Sequence, residues 1–262
     1  MARSALMTVM IQAVRKAGRA LARDFGEVEN LQVSMKGPAN FVTAADRKAE
    51  ETLRAELSRA RPGWGFLMEE GGTIEGTDPN HRWIVDPLDG TTNFLHGIPI
   101  FAISVALERQ GQIVAGVIYN PVTDELYAAE RGGGAFLNDR RLRVANRQNL
   151  FEAVIGTGIP HLGIGDHGQY LKELRQVMGQ VAGVRRLGAA ALDLAFVAAG
   201  RYDAFWERGL YAWDVAAGIL LVREAGGFVS DVEGRDRMLE RAGIVAGNET
   251  LHRALLEKLK AA

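Results

Sequence analysis

From Trp83 to Leu137 the chain repeats strand-length apolar runs: "RWIVD", "FAISVALE", "QIVAGVIYN" and "DELYAAE". The turns between and after them, "RQGQ", "NPVTD" and "RGGG", carry the Gly, Pro, Asn and Asp that hairpins require. Residues 83–137 are therefore expected to form a largely antiparallel sheet. Past residue 140 the pattern changes. "AVIGTGI", "VRRLG", "YDAFWE", "GFVSD" and "GIVAGN" read as strands, and residues 166–180, 189–199, 214–225 and 249–260 as helices. That alternation is an α/β pattern. Ahead of the sheet come a helix over 3–25, the looped or hairpin-like "LQVSMKGPANFVTAAD", and a helix over 44–60 that stops at Arg61-Pro62-Gly63. The short strand "GFLMEE" and a polar loop from Gly71 to Asn80 follow.

No internal repeat, low-complexity tract or flexible linker interrupts the chain. Two halves are expected, 1–140 and 141–262, packed as a single compact unit. The first would carry the N-terminal helices and the sheet, and the second would complete the site. A length of 262 residues allows a substantial shared core. The net charge of −1 gives no sign of a nucleic-acid or anionic-membrane partner. The absence of cysteine removes disulfides, thiolate metal sites and cysteine nucleophiles, and fits a cytoplasmic location. No apolar run approaches the ~18 residues of a membrane helix. The first 23 residues hold Arg and Lys without an acid, as a transit peptide would. The helical spacing of Leu6, Met10, Val14 and Leu21 makes an amphipathic structural helix the better reading.

The stretch "WIVDPLDGTTNF" leaves an apolar strand and at once spends two acids. Pro87 fixes its own φ, so "DPLD" is expected to be a sharp bend after the strand. Such a bend can bring Asp86, Asp89 and the Leu88 carbonyl to one place, and three oxygen ligands suit a hard cation such as Mg²⁺. Gly90 permits close backbone approach. The amides of Thr91, Thr92 and Asn93 would head a helix, where free N–H groups bind phosphate. The plain alternative is an Asx turn leading into a helix cap. The other acids carry similar pairs of readings. Glu69 and Glu70 are either buried acids needing a cation or exposed acids at a strand end. Asp214 is either a ligand or an N-cap, and Asp46, after Thr43, is either functional or part of a capping arrangement. Together they place acids at several strand-to-helix transitions, where crevices form in layered α/β proteins. Like charges gathered there need cations. That points to two or more Mg²⁺ ions and a phosphate ester.

Other patterns carry less. "GIGDHG" fits a dinucleotide-type glycine spacing but follows Pro160 and lacks a clear acidic partner, so a mobile loop is expected. "RGGGAF" lacks the Lys-Ser/Thr of a phosphate loop. His81, His96, His161, His167 and His252 form no pair at metal spacing, which argues against zinc. Trp206 and Trp213 flank the site segments and are expected in the core.

In order, "MEEGG", "WIVDPLDGTTNF" and "WDVAAGILLVREAGG" resemble the inositol monophosphatase family, with bacterial members the most similar. The likeness extends from "KGPANFVTAAD" to "GIVAGN". It implies a five-layered αβαβα sandwich, usually dimeric, hydrolysing a phosphate monoester of a small polyol with two or three Mg²⁺ and inhibited by lithium. By that resemblance Glu69, Asp86, the Leu88 carbonyl, Asp89 and Asp214 are metal ligands, and Glu70 reaches a further metal through water. Asp46 and Thr91 orient the nucleophilic water, with Glu69 beside them in the catalytic set. The amides of Gly90 and Thr91 cradle the phosphate. Gly188, Ala189 and Ala190 line the substrate ring and Glu207 accepts a sugar hydroxyl. Glu69, Leu88, Asp89 and Asp214 belong to the substrate-binding set as well. Lys36 falls in the family's mobile loop. The implied reaction is release of phosphate from myo-inositol monophosphate. The alternatives are a related histidinol-phosphate, sugar or 3′-nucleotide phosphatase, and a role beside the transcription machinery in antitermination. Neither a membrane nor direct nucleic-acid binding is expected.

Overall fold

The computed structural model describes residues 4–27, 33–37, 40–163, 165–240 and 243–262, with 33–37 and 40–42 described by backbone alone. Lys36 lies in that stretch, so its side chain is outside the described residues. Helix α1 (Ala5–Phe25) starts where the Ser4 side chain accepts from the Met7 N–H at 3.0 Å, and it buries the stripe Met7, Met10, Ile11, Val14 and Leu21. Strands β1 (Val33–Gly37) and β2 (Asn40–Thr43) pair antiparallel as the expected hairpin. Helix α2 (Ala44–Ala60) opens on a reciprocal Thr43–Asp46 capping box and packs on α1.

The large sheet follows. Its strands are β3 (Trp64–Met68), β4 (Gly72–Ile74), β5 (Asp78–Asp89), then, after the short helix α3 (Thr91–Leu95), β6 (Ala102–Arg109), β7 (Gln112–Asn120), β8 (Glu125–Glu130), β9 (Gly134–Leu137) and β10 (Arg140–Arg141). Their order is β10-β9-β8-β7-β6-β5-β3-β4. All neighbours are antiparallel except β3 and β5, which are parallel. The segment expected as a polar loop, Gly71 to Asn80, holds β4 and the start of β5. Ladder pairing with Phe66–Met68 makes a strand of residues whose own sequence reads as turn.

The second half supplies β11 (Val154–Thr157), α4 (His167–Met178), β12 (Gly183–Arg185), α5 (Ala190–Ala198), β13 (Ala204–Glu207), α6 (Ala212–Glu224), β14 (Phe228–Ser230), β15 (Ile244–Gly247) and α7 (Glu249–Lys260). The five strands order as β12-β11-β13-β15-β14. Strand β12 ends at Arg185, earlier than "VRRLG" implied, so Arg186–Gly188 forms the approach to α5.

Alternation along the strands builds the layers. On β5, Trp83 and Val85 face α1 and α2, while Ile84 faces α5 and α6. On β13, Phe205 faces α5 and α6, whereas Ala204 and Trp206 face α4 and α7. Helices α5 and α6 are apolar nearly all round because they lie between the two sheets. The result is five layers, α, β, α, β, α. Among the described residues no helix is long and apolar enough to cross a membrane.

Candidate active site

The "DPLD" stretch is a bulge inside β5, where a bend past its end was expected. Asp86 pairs with Ser104 and Asp89 with Ala102, so one extra residue sits on β5 between the two pairs. Pro87 has no N–H for a ladder, and a bulge is where a strand tolerates that loss. Residues three apart on a regular strand point to opposite faces. The extra residue brings Asp86 and Asp89 into one acidic field with Glu69 and Asp214. The Asx turn is real as well: Asp86 Oδ1 accepts from the Leu88 N–H at 2.9 Å. Glu69 stands beside Asp86 because β3 and β5 run parallel and the Glu69 N–H reaches the Val85 carbonyl at 3.2 Å. Glu70 sits at the outer edge, its N–H on Glu50 Oε2 at 3.0 Å.

Asp46 and Asp214 both occupy the third position of a helix. Asp46 Oδ2 accepts the Thr43 N–H at 2.8 Å and the Thr43 hydroxyl. Asp214 Oδ2 accepts the Tyr211 N–H at 2.6 Å, so Tyr211 is the N-cap there and Asp214 is not. Each acid spends one oxygen on its helix. The other oxygen of Asp46 meets the Thr91 hydroxyl at 3.1 Å, and that hydroxyl also lies 3.0 Å from the Leu88 carbonyl. A hydroxyl has one proton for two acceptors. Asp46, wholly buried, is pushed above the usual carboxylate range first by burial and then by Glu69, against its hydrogen bonds to Thr43.

Gly90 caps α3 at φ +91°. A Cβ there would lie 2.9 Å from the Ile100 carbonyl oxygen and 3.2 Å from Ala189 Cβ, so conformation and space both require glycine. Sequence reasoning assigned Asn93 only a backbone amide, yet its side chain is the tie between the halves. Buried, it donates to the carbonyls of Ile100 at 2.7 Å and Leu187 at 2.8 Å, which holds the 187–190 segment over the Gly90 turn. Asp89 completes that tie: its Oδ2 accepts the Ala191 N–H at 2.7 Å. Helix α5 has no capping side chain of its own, so Asp89 caps it from across the interface. Gly188 (φ +82°), Ala189 and Ala190 thus stand beside Asp89 and Gly90.

Glu207 ends β13 on the face that Phe205 shares. Burial and then the field of Asp214 push its carboxyl up to about 8, while Arg186 pulls the other way. Asp193, in the first turn of α5, is buried with neither carboxyl oxygen hydrogen-bonded. Burial raises it well above the usual range, and Glu207 and Asp89 add to this. Nothing in the sequence singled it out, because "AALDLA" reads as an apolar helix. Glu207 and Asp214 line a cavity of about 690 Å³, including space open to solvent, whose walls also hold Pro160, His161, Arg208 and Tyr211.

Asp86 and Asp89 are both held well above their ordinary range, by burial first and then by the neighbouring acids. The carboxylates sense one another strongly, although among the described residues no three His, Asp or Glu side chains close on a single point. Ionised acids in one low-dielectric crevice repel unless a cation joins them. The donor set is oxygen only, with the Leu88 carbonyl beside Asp86 and Asp89, and it fits a hard divalent ion. First-turn residues of three helices stand at the same crevice, Asp46 of α2, Ala191 of α5 through its N–H on Asp89, and Asp214 of α6, and α3 begins beside them at Gly90. The place suits an anion bridged by cations.

Comparison with known proteins covers the whole chain. The model of the inositol monophosphatase family matches residues 2–262. An inositol-1-monophosphatase of Mesorhizobium japonicum is 71% identical over 260 residues, 99% of this chain and 98% of that protein. The Nus factor SuhB of Pseudomonas aeruginosa is 47% identical over 259 residues, covering 97% and 96%. The crystal structure of the extragenic suppressor protein suhB from Bartonella henselae superposes with a TM-score of 0.96 at 64% identity, covering 98% of this chain and 99% of that one.

Proposed function

We propose, from the premise that the chain belongs to the inositol monophosphatase family, that it is a Mg²⁺-dependent phosphomonoesterase releasing inositol and phosphate from myo-inositol monophosphate. The observation that carries the reading is the bulge. It brings two aspartates of one strand, with Glu69 and Asp214, into a single field beside the Gly90 turn. In this reading Glu69, Asp86, the Leu88 carbonyl, Asp89 and Asp214 hold two or three Mg²⁺, with Glu70 reaching one through water. Bound there, the ions supply Lewis acidity to an attacking water and positive charge to the departing oxygen.

The chain's own groups do the rest. The Thr91 hydroxyl, fixed between Asp46 and the Leu88 carbonyl, orients the attacking water, and the Asp46–Thr91 pair takes up its proton. Helix α3 has only five residues, so its macrodipole is small. The local amides of Gly90 and Thr91 hold the phosphoryl oxygens. Gly188, Ala189 and Ala190 bound the ring, and Glu207 accepts one of its hydroxyls. The active protein is a homodimer in the cytoplasm, sensitive to lithium.

The test is phosphate release from inositol-1-phosphate, histidinol phosphate, fructose-1,6-bisphosphate and adenosine 3′,5′-bisphosphate, with Mg²⁺ and with or without lithium. Preference for inositol-1-phosphate with lithium inhibition supports the reading, and preference for one of the other three replaces it with the related phosphatase. A second reading, partnership with the transcription machinery, draws on the relative named a Nus factor. It gains ground if Asp89→Asn, without phosphatase activity, still rescues a deletion strain.

A further inference from the structure

Glu207 rests on a residue that has no side chain. Strands β11 and β13 run parallel with Thr157 opposite Trp206, so Gly158 comes level with Glu207 at the strand ends. A Cβ on Gly158 would lie 1.8 Å from Glu207 Cδ, 1.9 Å from its Oε1 and 2.2 Å from its Oε2. Those distances are far inside van der Waals contact, and they involve the whole carboxyl group. The carboxyl therefore occupies the space a side chain at 158 would fill. Gly158 is not among the residues with positive φ, so alanine there brings no backbone strain and only the collision. The strand end is anchored: Thr157 is buried and its hydroxyl donates to the Gly158 carbonyl at 3.2 Å. Asp193, another acid, is fully buried with neither carboxyl oxygen hydrogen-bonded, and it lies within the field of Glu207. A displaced carboxyl would be driven toward the cavity that Gly158, Glu207 and Asp214 line together.

We propose that Gly158 is a positioning residue for polyol specificity: its missing side chain is the seat of the Glu207 carboxyl, and any larger residue there evicts it. The inference rests on the reading that Glu207 accepts a substrate hydroxyl.

The test uses four proteins, wild type, Gly158→Ala, Glu207→Ala and the double variant, each with Mg²⁺. Turnover is measured on inositol-1-phosphate and on phenyl phosphate, which offers Glu207 no hydroxyl. Stranding one partner of a buried hydrogen bond costs about 10- to 100-fold, so Gly158→Ala should cost inositol-1-phosphate that much in kcat/KM. On phenyl phosphate the same change should cost less than about threefold, because no such bond is made. In the Glu207→Ala background the added alanine should cost less than about threefold on either substrate, since the carboxyl it would strike is gone. Equal losses on the two substrates, or in the two backgrounds, overturn the proposal. Melting temperatures of the same four proteins read the seat without turnover. Gly158→Ala should lower the melting point with Glu207 present and leave it unchanged or raise it with Glu207→Ala. The same drop in both backgrounds overturns the seat. A wild type idle on both substrates but showing the melting contrast sinks the phosphatase reading alone.

Discussion

Asp89 has two tasks that substitutions can separate. It belongs to the acidic cluster, and its Oδ2 also accepts the Ala191 N–H at 2.7 Å, capping a helix with no cap of its own. Asp89→Asn removes the charge and keeps an oxygen for Ala191. Asp89→Ala removes both. An unpaired buried N–H costs about 1–3 kcal/mol, and a lost N-cap about 0.5–2 kcal/mol. These describe one bond, so the alanine variant should fall about 2 kcal/mol below the asparagine variant. In a chain of this size that separates their melting points by about 4–8 °C. Without metal, at neutral pH, Asp89→Asn should melt at or above wild type, because one of the mutually repelling acids is gone. Neither variant should release phosphate, and Mg²⁺ should raise the melting point of wild type far more than that of either. Thermal melts with EDTA and with Mg²⁺, beside a phosphate assay, read all of this. Coincident melting of the two variants would refute the capping role. Near-normal turnover in Asp89→Asn would refute the metal assignment.

Three further outcomes follow from the same geometry. Gly90→Ala must place a Cβ 2.9 Å from the Ile100 carbonyl oxygen at φ +91°. Left-handed strain of about 1–2 kcal/mol and overpacking of about 1–3 kcal/mol should lower stability by about 2–5 kcal/mol in denaturant unfolding, with activity lost. Asn93→Leu leaves the Ile100 and Leu187 carbonyls without their donor. It should destabilise by about 2–4 kcal/mol, and KM should rise more than kcat falls as the 187–190 segment loosens. The third outcome is a pH dependence. Glu207 sits at about 8 in the fold against an ordinary 4.5, and Asp86, Asp89 and Asp193 shift in the same direction. Raised acids favour the protonated folded form. Their stability is therefore present below the unfolded pKa and lost as pH climbs through the folded one. Melting of the EDTA-treated protein should fall between pH 5 and 8, and Mg²⁺ should flatten the fall because cations favour the ionised carboxylates.

Much of this architecture was legible in the chain because it is written locally. Helices α1, α2 and α7 carry their own periodicity and caps, and Thr43, three residues before Asp46, announces the start of α2. The hairpins of the large sheet announce themselves by their turns. What could not be read depends on a partner distant in sequence. Strand β4 is three residues long and exists by pairing with β3. The bulge at Pro87 and Leu88 is defined against β6, so the sequence showed a bend and not its register. Most acids of the candidate site were legible from their places, since Glu69, Glu70, Asp89, Asp46 and Asp214 stand where a strand ends or a helix begins, whereas Asp86 lies inside β5. Asn93 and Asp89 act on residues about a hundred positions away. Gly158 and Asp193 sit in stretches whose composition is ordinary for a strand end and a buried helix, and only packing distinguishes them.

The measurement that bears most directly on the central claim is phosphate release from inositol-1-phosphate by protein stripped with EDTA and then titrated with Mg²⁺. The cluster of Glu69, Asp86, Asp89 and Asp214 predicts no turnover in the stripped protein, recovery on adding Mg²⁺, and no recovery for Asp89→Asn at any Mg²⁺ concentration. Undiminished turnover after stripping, or an Asp89→Asn protein that Mg²⁺ restores in full, would contradict it.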